Sequence, residues 1–171
     1  MIPRAHIAEW RAVAPWQLNE QVEQDLLLSR ALIEINCREH FTTEGTRRVP
    51  YSVQSRWAPG ECELPTYGME ELLATKTRAL YQRRKGRDLF DLWHALTQAE
   101  VDCERVVAGF AAYVANDGLA VSGEEYRDNM ERKLNHPDFV HDTEALLRPD
   151  IVYNPEEAWD CVHSKLISLM E

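Results

Sequence analysis

The residues with the clearest chemical potential lie on either side of Gly86. Lys76 and Arg83 precede this glycine, and Asp88 and Asp91 follow it at a spacing of three residues. A lysine within an apolar stripe must pair with an acid or bind an anion, because an unpaired buried ammonium is very costly. Acids three residues apart lie on one edge of a helix, and its first turn favours negative charge. The segment therefore predicts a helical hairpin with inward-facing cations on one arm and paired acids on the other.

Two amphipathic helices are predicted to carry these side chains. The apolar stripe of the first helix comprises Met69, Leu72, Leu73, Ala79 and Leu80, and that of the second comprises Leu89, Leu92, Trp93, Leu96 and Ala99. Apolar residues at this spacing are typical of a helix face that packs against a core. Between the helices, Gly86 is predicted to adopt the left-handed conformation that ends a helix.

A purely structural role for the same segment stays open. Asp88 and Asp91 would then be ordinary charges at a helix N-terminus, and residues 83–87 would form a solvated basic turn. Pairing of Lys76 with an aspartate would act only as a clamp on the fold. The residue pattern alone does not choose between a clamp and a ligand site.

The remaining sequence predicts an α+β fold: a small, mostly antiparallel three-stranded sheet followed by an α-helical C-terminal bundle. Strands are predicted from alternating side chains at 33–41, 47–57 and 62–67. Helices are predicted at about 20–31, 101–116, 123–134 and 139–147, and from 155 with Ala158, Val162, Leu166 and Leu169 inward. Ser122 with Glu125 spells a capping box, and Asn154 is expected to cap the last helix. The change of period near Gly68 predicts two domains, 1–67 and 68–171.

Composition narrows the classes of protein. The chain has 171 residues, 44% of them hydrophobic, and a formal net charge of -10. That acidity argues against bulk DNA binding, although residues 83–87 form a local basic patch. The four scattered cysteines show no zinc-binding spacing and are typical of reduced thiols in the cytoplasm. The N-terminus does not resemble a signal peptide, and no apolar stretch is long enough to predict a membrane span.

The segment TKTRALYQRRKGRDLFDLWHAL resembles the C-terminal motif of the AbiEii/AbiGii nucleotidyltransferase-like toxins, a branch of the polymerase-beta-type superfamily. The likeness also covers IPRAHIAEWRAVAPW through QVEQDLLLSRAL and resumes at IEINCREHF. The resemblance implies the toxin of an AbiE-type (type IV) toxin–antitoxin or phage abortive-infection system. Such a toxin would transfer a nucleotide from an NTP, with Mg²⁺, to tRNA, another RNA or a protein acceptor. It also implies an antitoxin encoded nearby.

Site roles follow from the same resemblance. It implies catalytic roles for Lys76, Asp88 and Asp91, and nucleotide binding by Arg83 and Arg87. Glu34 lies between two isoleucines on a predicted strand and resembles the third metal-binding carboxylate of polymerase-beta-type enzymes. An ordinary outward-facing strand acid is the alternative for Glu34.

The chain departs from the family pattern in one segment. A Gly-Ser or Gly-Thr turn and an Asp-x-Asp pair should lie between the N-terminal helix and the strand of Glu34, but Leu32 runs directly into Ile33. The Gly45-Thr46 dipeptide is followed by no Asp-x-Asp. Two opposed carboxylates are needed to position the metals of in-line phosphoryl transfer. The sequence thus predicts a catalytically deficient toxin-family protein; the alternative is a non-catalytic remnant or binding module that retains only the helical domain.

Overall fold

The chain forms two compact units. A computed structural model describes residues 8–9, 11–12, 22, 41–53, 59–148 and 150–170. One unit comprises Met1–His40 and Thr46–Thr66. The other comprises Phe41–Gly45 and Tyr67–Glu171 and is called the helical unit below.

The first unit contains an antiparallel β-hairpin. Strand β1 (Arg47–Val53) pairs with strand β2 (Gly60–Thr66) along their full lengths. Along most of β2, exposed and half-buried residues alternate, as expected for a strand with one sheltered face. The alternation in the sequence predicted both strands, and the predicted ranges 47–57 and 62–67 overlap them.

The predicted α+β class is confirmed, and two of the three predicted strands lie in the part of the chain that the structure describes. There the sheet has two strands. The other predicted strand, 33–41, lies outside the described residues except for Phe41. Phe41 is not in a strand, and its ring packs edge-on against Tyr113 with 5.1 Å between centroids. The predicted helix 20–31 is likewise outside the described residues except for Val22.

The described part of the helical unit consists of six helices and a closing 3₁₀ turn. They are α1 (Met69–Gln82), α2 (Gly86–Gln98), α3 (Cys103–Asn116), α4 (Gly123–Leu134), α5 (Pro137–Val140), α6 (Pro155–Lys165) and the 3₁₀ turn Ile167–Leu169. Among the described residues, no helix combines the length and the apolarity that a bilayer span requires.

Side-chain caps set the starts of the later helices. The Ser122–Glu125 capping box at the start of α4 is present, as predicted. Asn154 accepts hydrogen bonds from two backbone amides at the start of α6, which also confirms its predicted role. The helix predicted at 139–147 is wrong: α5 ends at Val140, and turns follow it.

The core of the helical unit lies where α1, α2, α3, α4 and α6 meet. Its fully buried side chains include Leu80, Leu89, Phe110, Tyr126 and Val162. Helices α1 and α3 approach closely because their contact uses small residues. A Cβ atom placed on Gly109 would lie 2.9 Å from the Cβ of Ala74.

The predicted apolar stripes are only partly correct. Met69 and Leu72 are 38% and 39% exposed, whereas Ala74 and Thr77 are buried. The buried face of α1 therefore includes the smaller residues Ala74 and Thr77 in place of Met69 and Leu72. Small side chains face the core here because they permit the close approach of α3. At other helix ends the prediction also failed. Ala99, the residue after α2, is exposed, and Leu169 in the final 3₁₀ turn is 44% exposed. Ala158, Val162 and Leu166 are buried, as predicted.

Glu71 ties the start of the helical unit to α1. Its side chain is 2% exposed and one carboxylate oxygen accepts three hydrogen bonds: from the Thr42 hydroxyl at 2.7 Å, the Thr43 backbone amide at 2.6 Å and the Tyr113 hydroxyl at 2.8 Å. Burial alone would raise the pKa of Glu71, but these hydrogen bonds lower it below its usual value. The network holds residues 41–45 against α1 and α3.

Candidate functional site

Asp88 is the centre of the candidate site. It lies in the first turn of α2, and its side chain is fully buried. Arg83, the residue that follows α1, donates from Nε to one carboxylate oxygen at 2.6 Å and from Nη2 to the other at 2.7 Å. This two-point geometry is the strongest pairing available to arginine and carboxylate. The pairing raises the pKa of Arg83 above its usual value.

Lys76 joins the two acids of α2. Its Nζ lies 3.3 Å from Asp88 Oδ1 and 2.8 Å from Asp91 Oδ2. Burial alone would lower the pKa of Lys76, but the hydrogen bond and charge of Asp91, with Asp88, raise it above its usual value. The predicted pairing of an inward lysine with acids of the facing helix is therefore present. We call Lys76, Arg83, Asp88 and Asp91 the charge cluster.

The conformation predicted for Gly86 is wrong. The described glycines with positive φ are Gly45 and Gly118, whereas Gly86 is the first residue of α2. Its lack of a side chain serves close packing instead, because a Cβ atom here would lie 2.0 Å from the carbonyl oxygen of Phe139. A helix start pressed against another backbone needs glycine as surely as a left-handed turn does.

Asp142 fixes the start of α2 and was not anticipated from the sequence. Its carboxylate accepts a hydrogen bond from the Arg87 backbone amide at 3.1 Å, which satisfies an amide of the first helical turn. The same carboxylate lies 3.7 Å from Arg87 Nε and 4.0 Å from Lys85 Nζ. No local motif in the sequence links residues 87 and 142, so only the fold reveals this cap.

The structure brings most of the predicted site residues together. Lys76, Arg83, Asp88 and Asp91 form one cluster, whereas the guanidinium of Arg87 pairs with Asp142 rather than with the cluster. Glu34, the predicted metal ligand, lies outside the described residues. The catalytic and nucleotide-binding roles assigned to these residues by resemblance stay predictions.

The hairpin acids do not fit a magnesium ion. Both oxygens of Asp88 accept hydrogen bonds from Arg83, and Lys76 lies against both acids. Cations so close to the carboxylates oppose a divalent ion by repulsion and occupy its ligand atoms. In the described part of the chain, no group of three or more histidine, cysteine, aspartate or glutamate side chains has a metal-binding arrangement.

The charge cluster has a buried side and an accessible side. The side chain of Asp88 is fully buried, while those of Lys76, Asp91 and Arg83 are 30%, 45% and 54% exposed. An ammonium and a guanidinium held at a surface by a buried acid are suited to binding phosphate oxygens, because phosphate accepts charge-assisted hydrogen bonds from both. The arrangement can bind and orient anionic groups, with Asp91 beside them as an acceptor.

Comparison with known proteins places the chain in one family. Neither the curated proteins nor the solved structures include a significant match. The family model described as nucleotidyl transferase AbiEii toxin, type IV toxin–antitoxin system, matches residues 8–161. The match covers most of the chain, including the charge cluster. The chain therefore belongs to the AbiEii nucleotidyl transferase toxin family of type IV toxin–antitoxin systems, in which a toxin is paired with an antitoxin.

Proposed function

We propose that this member of the toxin family binds nucleotide phosphates through its charge cluster but does not transfer a nucleotide by itself. The observation that carries the proposal is the position of Lys76 and Arg83. Both are anchored to the buried Asp88, and both keep part of the side chain at the surface. A ligand phosphate would meet two cations that are already oriented, which lowers the entropy lost on binding.

The deficiency in transfer is argued from the residues that the chemistry needs. Polymerase-beta-type transfer uses two metal ions held by opposed acids. The chain has no Asp-x-Asp pair after Gly45-Thr46, and it has no residues for one where Leu32 is followed directly by Ile33. The acids of the hairpin are paired with cations and do not replace that set. Loss of the metal ligands should cost several kcal/mol of transition-state stabilisation, which is roughly several decades in rate.

The partners in this proposal follow from the family. The donor would be an NTP with Mg²⁺, the acceptor an RNA such as tRNA or a protein, and the antitoxin would be encoded nearby. The cytoplasm, where NTPs and RNA are abundant, is the expected compartment, and phage defence is the expected context. Weak triphosphate binding is the activity expected of the isolated chain.

One experiment separates binding from transfer. The purified chain is incubated with Mg²⁺, each labelled NTP and total RNA, beside a family member that has the Asp-x-Asp pair. We expect labelled RNA or protein only with that relative. Equilibrium dialysis with labelled ATP should show weak binding that falls in Lys76→Ala and is unchanged in Arg84→Ala, which removes a neighbouring exposed cation.

Two outcomes would contradict the proposal. Labelled product that forms with the chain and disappears in both Lys76→Ala and Asp91→Asn would show that it is active. Equal ATP binding by Lys76→Ala and the wild type would instead remove the charge cluster as the phosphate site.

A further inference from the structure

An aromatic cluster lies next to the charge cluster on α2. We define it as Phe90, Trp93, His94 and Tyr153. The centroid of the Phe90 ring lies 5.8 Å from Trp93, 5.5 Å from His94 and 5.2 Å from Tyr153. Trp93 and Tyr153 also pack against the hydrophobic core, whereas Phe90 is half-buried and His94 is exposed. Core packing accounts for Trp93 and Tyr153, whereas Phe90 and His94 keep part of their surface accessible to solvent.

The rings of Phe90 and His94 form a short stack. Their planes are 12° from parallel, and the two residues lie one helical turn apart. Because His94 is exposed, the stack ends at a flat ring in contact with solvent. A further flat ring can extend such a stack, and nucleobases bind to proteins in this way on aromatic side chains.

Tyr153 supplies a second observation, an unpartnered polar atom beside these rings in the part of the chain that the structure describes. Its hydroxyl oxygen is buried and, within the described residues, has no hydrogen-bond partner. A buried hydroxyl without a partner is costly, so a polar group that reached it would bind favourably. Burial first, and then the charge of Asp91, raises the pKa of Tyr153 above its usual range.

The charges along α2 complement a nucleic acid strand at this position. Lys85 and Arg87 lie at the start of the helix, where both also face the Asp142 carboxylate. His94 is about 10 Å further along the helix axis. Between them Asp91, whose side chain is 45% exposed, offers an acceptor for a ribose hydroxyl. Cations, a hydroxyl acceptor and a stacking ring thus follow one another along a single helix.

We propose that the aromatic cluster is a stacking site for an unpaired base of single-stranded RNA whose phosphates lie over the cations of the hairpin. The occupant is a strand rather than a mononucleotide because the ring that ends the stack, His94, lies on the exposed surface of α2, whereas mononucleotide sites are concave. The proposal deepens the proposed function by naming a partner for the same surface. Because the net charge is -10, binding is weak and best observed at low salt.

The test measures fluorescence anisotropy of labelled hexamers titrated with the full chain. An adenine RNA hexamer is compared with an abasic hexamer that has the same number of phosphates. We expect the RNA to bind about tenfold more tightly than the abasic strand, since each stacked base contributes measurably to affinity. Phe90→Ala and His94→Ala should abolish this difference, and Phe90→Tyr should restore it. Leu119→Ala, which shortens an exposed apolar residue elsewhere, should have no effect.

The outcomes separate this proposal from the previous one. Equal affinity for the RNA and abasic hexamers, or an unchanged preference in both Phe90→Ala and His94→Ala, would overturn the stacking site. Equal binding of a DNA hexamer would overturn the assignment to RNA, and binding of ATP with none of the hexamer would overturn the choice of a strand. Inorganic tripolyphosphate tests the phosphate site alone. If it fails to bind while base-dependent RNA binding persists, the stacking site stands and the triphosphate proposal fails.

Discussion

Asp88 and Glu71 are both carboxylates buried in the helical unit, and they are stabilised by different chemistry. Asp88 faces two cationic side chains, those of Arg83 and Lys76. Glu71 accepts hydrogen bonds from neutral donors, namely two hydroxyl groups and one backbone amide. Each arrangement meets the same requirement, because a buried carboxylate must be paired or hydrogen-bonded to remain charged.

The difference between them lies in what reaches the surface. The neutral network around Glu71 ends inside the protein, where Tyr113 is fully buried. The cations around Asp88 extend outward, and the side chain of Arg83 is 54% exposed. The Glu71 network presents no cation to solvent, whereas the charge cluster presents two partly exposed cations beside the half-exposed Asp91. The comparison therefore supports an architectural role for Glu71, whereas ligand binding by the charge cluster stays a proposal.

Removal of Asp88 should have the largest effect on stability. Asp88→Ala leaves two cations facing a buried space, and breaking a buried ion pair typically costs 3–5 kcal/mol. We expect about 3 kcal/mol, because Lys76 and Arg83 are partly solvated. Urea denaturation measures the change. Asp91→Ala is the matched control and should cost about 1 kcal/mol or less, since this acid is half-exposed. Equal losses in the two variants would contradict the distinction between the buried and the accessible acid.

Substitution of Gly86 tests whether backbone packing places Asp88. An alanine at a helix start is normally neutral or favourable, by up to about 1 kcal/mol. Here the added Cβ would lie 2.0 Å from the Phe139 carbonyl oxygen, so the helix start must shift. We expect Gly86→Ala to cost about 2 kcal/mol in thermal or urea unfolding. Gly60→Ala, where nothing lies within 4 Å of the new atom, should be nearly neutral. A stabilised Gly86→Ala would show that helix propensity outweighs the contact.

Neutralising Glu71 should have a smaller effect that depends on pH. Glu71→Gln can still accept the same hydrogen bonds but loses their charge assistance, which costs about 1.5 kcal/mol. Because folding lowers the pKa of Glu71, its contribution is present above pH 4.5 and is lost as pH falls through the folded value. Urea denaturation at pH 7 and at pH 3 should show the difference between wild type and variant shrinking. Glu70→Gln, which changes a more exposed neighbour, should have little effect at either pH. A difference that is constant across pH would contradict the network's dependence on charge.

The sequence predicted the charge cluster better than the Glu71 network, and the reason is physical. Lys76, Asp88 and Asp91 belong to two adjacent amphipathic helices, so helical spacing alone predicts that they face one another. Glu71 resembles an ordinary acid of a first helical turn. Its partners come from the segment before the sheet and from α3, and no spacing rule links such distant segments.

The errors in the fold have the same origin. Local rules correctly predicted the capping box at Ser122 and the Asn154 cap, because both depend on residues within one turn. The prediction for the buried face of α1 was wrong because Ala74 is buried by close packing against Gly109 of α3, which is distant in sequence. The role of Gly86 was misjudged for a similar reason, since its neighbour Phe139 is distant in sequence.

Lys133 provides the prediction with the smallest expected effect. It is a third cation near Asp88, but its own hydrogen bonds go to backbone carbonyls. Its Nζ donates to the backbone carbonyls of Leu80 and Tyr81 at the end of α1, groups that a helix leaves unsatisfied. Its side chain is mostly buried, and burial lowers its pKa to about 8, against the opposing influence of Asp88. The unfolded chain therefore binds more protons than the folded chain between pH 8 and 10.5, and the contribution of this residue to stability rises with pH.

The expected change is about 1 kcal/mol between pH 7 and pH 9, measured as the difference between wild type and Lys133→Met in urea denaturation. The wild type must be compared with the variant because Cys103 also makes stability depend on pH. Burial raises the pKa of Cys103, so its contribution to stability falls with rising pH in both proteins. Lys133→Met also loses the hydrogen bonds to α1 at every pH, so the variant is less stable throughout and only the slope is diagnostic. In Asp88→Asn the slope should extend to lower pH, since the acid that raises the pKa of Lys133 is gone. Parallel pH profiles for wild type and Lys133→Met would show that this lysine titrates as a solvated side chain.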